Sequence, residues 1–421
     1  MKICVLGQGY IGLPTAALFA VNGHRVLGVD INKKVIDTIN QGIAPFDEPG
    51  LEELLKKAIN SQNLIIKSNV EEADVFLIAV PTPLDKETKS ADLSYVKSAT
   101  EMVYPHLRRG NLVILESTVP PGSCNNLLIP ILEKSGLRVS NDFYLVHSPE
   151  RAIPGKTIKE MVNNDRIIGG VDKKSSRFAK SLYSTFVKGN IYLTDVITAE
   201  FVKLMENTFR DINIAMANEF AQIAGENGVN IWEAIKLSNK HPRVNVLLPG
   251  PGVGGHCIAI DPWFLTENST RCRMISLARE INDSMPNHVF RIVKKMISGI
   301  RYPVISILGV AYKGNVDDTR ETPALKFIKL AMNEGFSIKI HDPHVKDFEY
   351  KIMELDEAIY DSDCIVLLTD HAEFEKINPA TIATKMRNRN LVDTRNLLNV
   401  LKWKKEGFNV RVLGCPYGDE I

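Results

Sequence analysis

A chain of 421 residues with 51 lysines and arginines against 50 aspartates and glutamates has a formal net charge of +1, which argues against a broad nucleic-acid or membrane-surface binder. At 44% hydrophobic and 24% charged residues, it reads as a globular protein too long for one core, so two or three domains are expected. Its cysteines (Cys4, Cys124, Cys257, Cys272, Cys364 and Cys415) are scattered without a CxxC pair, which predicts neither structural zinc nor a disulfide framework and fits a reducing, cytoplasmic location.

The opening stretch, "MKICVLGQGYIGLPTAALFAVNG", has a lysine followed by an apolar run, the outline of a signal peptide. Gly7, Gln8 and Gly9 interrupt that run early, so a strand, a tight turn and a helix are expected instead. No other stretch approaches about 18 uninterrupted apolar residues, so no membrane span is expected. "KICVL", "RVLGVD", "VFLIAV", "NLVILES" and "FYLVHS" read as strands, with helical patterns between them such as Leu13 to Val21 and Lys33 to Gln41. This alternation predicts a parallel, doubly wound α/β sheet.

"GQGYIG" spans Gly7 to Gly12, directly after a strand and before a helix. Gly7 suits the tight turn, Gly9 lets a pyrophosphate approach, and Gly12 lets the helix pack closely. Asp30 ends the next strand. A carboxylate there accepts hydrogen bonds from an adenosine ribose and repels a 2′-phosphate, which favours NAD over NADP. The alternative is a tight turn that binds nothing. The loops "VPTP" and "ESTVPPG" follow apolar strands, where ligands of open α/β sheets gather. Thr82 and Thr118 are therefore candidate contacts, or simply turn residues.

From Val196, "VITAEFVKLMENTFRDINIAMANEFAQIAGENGV" has helical composition and no proline, long enough to link two domains. Lys203, Asn207 and Arg210 fall at i, i+4 and i+7, on one face. They form either a solvated stripe or a donor set for an anionic or hydroxyl-rich ligand. Phe201, Leu204, Met205 and Phe209 predict that much of this helix is buried. Helical sequence continues to Ile300, interrupted by "HPRVNVLLPGPGVGGHCIAID" from His241 to Asp261. Glycines there permit close backbone approach or positive φ, and prolines stiffen the path.

Cys257 on that loop is a metal ligand, a nucleophile or a small buried residue. Beside a nicotinamide, a thiolate can attack an aldehyde, give up a hydride as the thiohemiacetal and be hydrolysed as the thioester. Asp261 organises a water or a proton if the segment turns helical. From Tyr302 the alternation returns in "VISILGV", "FSIKIHD", "CIVLLTD", "NLVD" and "NVRVLG". The expected division is 1–193, a helical middle at 194–300, and a second α/β domain at 301–421.

"GQGYIGLP", "STVPPG", "SPERAIPG", "AEFVKLMENTFRDINIAMANE", "GPGVGGHCIAIDPWF" and "GVAYKGNVDDTRETPA" occur in an order that resembles the UDP-glucose/GDP-mannose dehydrogenase family along essentially the whole chain. The resemblance implies two Rossmann-like domains joined by a helical dimerisation segment with a long connecting helix, a homodimer or larger oligomer, and a UDP-sugar as substrate. It implies a four-electron oxidation of a sugar C6 alcohol to a carboxylate with two NAD reduced. Cys257 matches the family's nucleophile, Lys203 its catalytic lysine, Asn207 a hydrogen-bonding partner and Asp261 the aspartate that positions water. Glu150 and Thr118 match residues near the reacting carbon.

By the same resemblance, Arg151, Ala152, Lys203, Asn207, Arg210, His241, Arg243, Gly254, Tyr312 and Lys313 are expected at the substrate. Gly7, Gly9, Tyr10, Ile11, Gly12, Asp30, Thr82, Thr118 and Arg320 are expected at the cofactor, and no metal is expected. His256 and Ile260 depart from the serine and lysine of the UDP-glucose branch. "PRVN" and "PWF" favour UDP-N-acetyl-D-mannosamine, with UDP-N-acetylglucosamine and UDP-glucose as alternatives. A two-electron hydroxyacid dehydrogenase, or a non-catalytic nucleotide-sugar sensor, would yield one or no NADH per substrate instead of two.

Overall fold

The structure, a computed structural model, describes residues 1–416. Contacts divide the chain into two compact units, one of residues 1–206 with 263–270 and one of residues 207–262 with those from Arg271 onward. Among the described residues no helix is long and apolar enough to cross a membrane.

The first unit holds an eight-stranded sheet in the order β3-β2-β1-β4-β5-β6-β7-β8. Its strands are β1 (Lys2–Leu6), β2 (Arg25–Val29), β3 (Leu64–Lys67), β4 (Val75–Ile78), β5 (Leu112–Leu115), β6 (Tyr144–His147), β7 (Arg166–Gly170) and β8 (Ile191–Asp195). The first strand shows why the sheet is covered twice. Ile3 and Val5 enter one core while Cys4 and Leu6 enter the other, as a parallel sheet flanked by helices requires. Phe19, on the helix Gly12–Val21, packs edge-on against Phe186 at 5.0 Å and near Tyr183 at 5.6 Å. Its truncation to alanine would cost about 3–5 kcal/mol.

β1 to β6 are parallel, as the alternation predicts, but β7 joins β6 antiparallel. The chain turns back at the carboxyl edge of β6 instead of crossing over to the opposite end. Val146 pairs with Gly170 and His147 with Gly169. Carried past the strand ends, this register sets Glu150 opposite Arg166. A wholly parallel sheet would not.

The second unit holds a parallel five-stranded sheet, β10-β9-β11-β12-β13. It comprises β9 (Val304–Leu308), β10 (Ser337–His341), β11 (Cys364–Leu367), β12 (Asn390–Asp393) and β13 (Asn409–Val412). The helix Val196–Asn227 runs for 32 residues, through the division between the units. Its burial differs from the expectation. Leu204 is fully buried, whereas Phe201, Met205 and Phe209 are exposed, Phe209 at 63%. Spacing of four residues puts those three on one stripe, and the single chain leaves that stripe uncovered.

Candidate active site

Two glycines of the first strand-helix loop are required by the fold, and a third leaves space above it. Gly7 has φ +89°, and a Cβ there would stand 2.5 Å from the Ala79 carbonyl oxygen. At Gly12 a Cβ would overlap the Gly7 carbonyl, whereas Gly9 faces open space. Asp30 is half-buried; its Oδ2 accepts the Gln8 N–H at 2.9 Å and its Oδ1 the Asn32 N–H at 2.8 Å. The Tyr10 ring rests on Phe46 with centroids 4.2 Å apart, and Ile11 is half-buried just before the helix. Thr82 is buried, and its hydroxyl has no partner among the described residues. Thr118 is half-buried beyond β5. Open space above Gly9, a tethered carboxylate at the end of β2 and an orphan hydroxyl in the same unit fit a dinucleotide.

Glu150 follows β6 in "SPER". Its Oε1 accepts the backbone N–H groups of Arg151 at 2.6 Å and Ala152 at 2.9 Å, while Oε2 accepts from the Arg166 guanidinium. Burial pushes this carboxyl up, but Arg166 and the two N–H groups outweigh it and hold the group below the ordinary glutamate value. Arg166 also reaches Glu116 Oε1 and Ser148 Oγ, each at 3.3 Å. Glu116 accepts from Tyr183 Oη at 2.6 Å and Thr15 Oγ1 at 3.2 Å. Complete burial pushes it up to about 7 despite Arg166. Arg151 does not extend a bare guanidinium, because Glu206 holds it at 2.7 Å and the Asp165 carbonyl accepts from it.

On the long helix, Lys203 and Asn207 are buried and Arg210 is exposed, so the three-residue stripe splits. Asn207 Nδ2 donates to Asp261 Oδ2 at 2.5 Å. Asp261 is the first residue of the helix Asp261–Thr266. The Cys257 carbonyl accepts from the Ile260 N–H at 3.0 Å and the Asp261 N–H at 2.8 Å, which closes a helical turn between cysteine and aspartate. Thus Asn207, Asp261 and Cys257 form one hydrogen-bonded series, and Lys203 lies one helical turn before Asn207.

The loop leading to Cys257 is tightly seated. Gly252 has φ +133° and Gly255 φ +86°. A Cβ on Gly254 would stand 2.9 Å from Tyr312 Cβ, and one on Gly255 2.9 Å from the Tyr312 ring. The Gly250 N–H donates to Asn218 Oδ1, and Asn218 Nδ2 to Asn282 Oδ1, both at 2.8 Å. Cys257 itself is exposed. Burial first, and then Arg320, lower His256 below the ordinary histidine value, so at neutral pH it presents a neutral imidazole beside the thiol.

Tyr312 and Lys313 are half-buried; burial, then Asp318 and Cys257, push the Tyr312 phenol up to about 12. Arg320 is exposed and clamps Asp318 with Nε and Nη2 at 2.9 and 2.7 Å. His241 and Arg243 are exposed on a loop whose ends Asn239 ties through Val246, at 2.9 and 2.7 Å. Glu116 and Arg166 escaped the sequence reading. A charge at the end of the apolar strand "NLVILES" is the signal that could have found Glu116; Arg166 has none, because its partners lie in other segments.

The chain matches three family descriptions. These are the UDP-glucose/GDP-mannose dehydrogenase family NAD binding domain over residues 1–187, its central domain over 197–284 and its UDP binding domain over 306–400. The UDP-N-acetyl-D-mannosamine dehydrogenase of Methanococcus maripaludis (strain C7) is 52% identical over 421 residues, covering 98% of this chain and 97% of that protein. Among solved structures, UDP-D-ManNAc dehydrogenase from Pyrococcus horikoshii superimposes with a TM-score of 0.93 at 43% identity, covering 98% and 99% of the two chains. UDP-N-acetyl-mannosamine dehydrogenase from Staphylococcus aureus gives 0.89 at 40% identity, covering 100% of this chain and 98% of that one.

Proposed function

This chain belongs to the UDP-glucose/GDP-mannose dehydrogenase family, and from that premise we propose that it oxidises the C6 alcohol of UDP-N-acetyl-D-mannosamine to the carboxylate with two NAD reduced. The observation that carries the reading is the series Cys257, Asp261 and Asn207, with Lys203 one turn earlier on the same helix. The division at residues 193 and 300, and a cytoplasmic location, belong to the same reading.

Gly7, Gly9, Gly12, Asp30 and Thr82 would hold NAD, and two NAD bound in succession would each accept one of the two hydrides that C6 gives up. Lys203 takes up or steadies the charge of the alcohol oxygen as its proton leaves, and Asn207 hydrogen-bonds the same oxygen. At the aldehyde level the Cys257 sulfur bonds to C6 and the carbonyl oxygen gains a proton. After the second oxidation, water adds to the thioester carbon, the C6–S bond breaks, and the thiol and a carboxylate are released. Asp261, fixed by the helical turn and by Asn207, orients that water; Glu150 and Thr118 serve near the same carbon.

Substrate choice rests on the names of the similar proteins and on His256 and Ile260, which replace the serine and lysine of the UDP-glucose branch. The exposed stripe Phe201, Met205, Phe209, with Met216, Phe220 and Ile223 beyond it, supports a homodimer in which the long helices cover one another. Arg243 on its exposed loop then reaches the partner's sugar. The deciding experiment incubates UDP-N-acetylmannosamine, UDP-N-acetylglucosamine and UDP-glucose separately with NAD. Two NADH per UDP-N-acetylmannosamine and a product of uronate mass are expected. One NADH, none, or a faster reaction with another sugar overturns the reading.

A further inference from the structure

Arg166 lies between two buried carboxylates, with its own side chain 5% exposed and those of Glu116 and Glu150 at 0% and 7%. One guanidinium facing two acids leaves an excess negative charge among buried side chains, so the site favours one added proton. The environments decide where it goes. Glu150 is satisfied as an anion on both oxygens, by two backbone N–H groups and Arg166. Glu116 receives hydroxyl groups, from Thr15 and Tyr183, and only a long contact from Arg166. Two carboxylates pushed apart in this way take different roles.

The other groups facing the cluster do not reverse this assignment. Tyr183 lies under the Arg166 guanidinium, 4.3 Å from ring centroid to Cζ. On the Glu150 side, Arg151 is neutralised by Glu206, Glu160 accepts the Ile153 N–H, and the Asp165 carboxylate accepts the Asn190 N–H. His147 is fully buried and pushed down to about 3 by burial, with Lys203 adding to the effect, so it carries no charge toward the pair.

We propose that Arg166 is a positioning residue of the reaction. It holds Glu150 as an oriented, ionised hydrogen-bond acceptor, while Glu116 takes the proton that the three-residue cluster binds. Through Thr15 the cluster also ties this acceptor to the helix Gly12–Val21, which begins at the dinucleotide loop. The proposal rests on the dehydrogenase reading for what Glu150 does, but not for its charge.

The test uses the full-length protein with the double substitution Arg166→Met plus Glu116→Gln, which removes the guanidinium and the protonated acid together and leaves the Glu150 carboxylate without its counter-charge. The acid limb of kcat is expected to move up by about one pH unit or more, giving roughly a tenfold loss at pH 6 that is regained by pH 9. Glu116→Gln alone is expected to keep the wild-type profile, and Arg166→Lys to give a smaller shift in the same direction. A loss equal at all pH values, or no shift in both the double variant and Arg166→Lys, overturns the proposal. Infrared titration of the Glu150 carboxylate, assigned by its disappearance in Glu150→Gln, reads the same shift without turnover. If wild-type protein fails to yield two NADH while the infrared shift is present, the function is wrong and the role of Arg166 stands.

Discussion

Two strand-to-helix loops, Gly7–Gly12 in the first unit and Gly309–Gly314 in the second, share one backbone plan and end in opposite states. Gly7 and Gly309 have φ +89° and +87°. Their N–H groups donate to the residue ending the next strand, Val29 at 2.8 Å and His341 at 2.9 Å. The following N–H donates to the acid one residue later, Gln8 to Asp30 at 2.9 Å and Val310 to Asp342 at 2.7 Å. There the likeness stops. Asp30 stays half-buried with acceptor capacity left. Asp342 is buried and accepts the N–H groups of Val310, Ala311, His344 and Val345 and faces His371 Nε2 at 3.0 Å. Ala311 also stands where the first loop has Gly9. The same plan serves as an open cradle once and as a closed clasp once, and the clasp presents Tyr312 to Gly254 and Gly255 beneath Cys257.

His371 is held at both nitrogens, since its Nδ1 accepts the Asn315 N–H at 2.9 Å. His344, His371 and Glu373 bring ligand-type atoms within 4.8 Å of one another, but an imidazole engaged on both sides has no lone pair to give a metal. The cluster reads as the lock of the clasp.

If the first loop holds cofactor and the second unit carries the covalent step, Cys257→Ala should have the largest effect. Uronate formation is expected to fall by about a thousandfold or more, with NAD affinity within about twofold by calorimetry. Full turnover by this variant would remove the sulfur from the chemistry.

The acids should separate next. Asp30→Ala is expected to weaken NAD binding roughly tenfold or more and to narrow the preference over NADP. Asp342→Asn should leave NAD affinity unchanged and lower stability by about 1–3 kcal/mol in denaturant titration. Equal effects of the two on NAD affinity would erase the contrast between cradle and clasp.

A smaller effect comes from exchanging the small residues. Gly9 faces open space, so Gly9→Ala should fold normally and lose NAD affinity, because the methyl stands where the pyrophosphate approaches. Ala311→Gly should cost less than about 1 kcal/mol and gain no NAD binding, since His371 still occupies Asp342. Gain of NAD binding in the second unit would show that Ala311 alone closes it.

The smallest contrast is in pH. Burial pushes Asp342 up, but His371 and the N–H groups bring it down to about 2, so its contribution to stability is present above the ordinary aspartate value and is lost as pH falls through about 2. Glu116, raised to about 7, behaves oppositely: its contribution is present below the ordinary glutamate value and is lost as pH rises through about 7. Glu116→Gln should therefore raise the melting temperature at pH 8 relative to wild type by roughly 2–4 °C, and the gain should vanish near pH 4. Parallel curves across that range would mean that Glu116 does not titrate there.

What could be read without coordinates was local. "GQGYIG" with Asp30 identifies the cradle because a turn, a close approach and a helix packing contact each demand glycine at a set spacing. "GPGVGGHCIAID" marks a loop of close backbone approach for a similar reason, its cysteine reads as a nucleophile only through the family resemblance, and a cysteine four residues before an aspartate becomes a unit once one helical turn closes. The strand-helix alternation gives the doubly wound sheets because periodicity is a property of neighbouring residues. Burial of Phe201, Met205 and Phe209 was misjudged, since composition reports that a face is apolar and not whether its own chain covers it. Tertiary structure alone decided the rest. Asn207 meets Asp261 across 54 positions and Arg166 meets Glu116 across 50, and the reversal of β7 sets Arg166 against Glu150. Asp30 and Asp342 look alike in sequence, each a carboxylate directly after a strand. Only the packing of His371 and four N–H groups closes one into a lock while the other keeps acceptor capacity, because a carboxylate's role depends on how many donors already surround it.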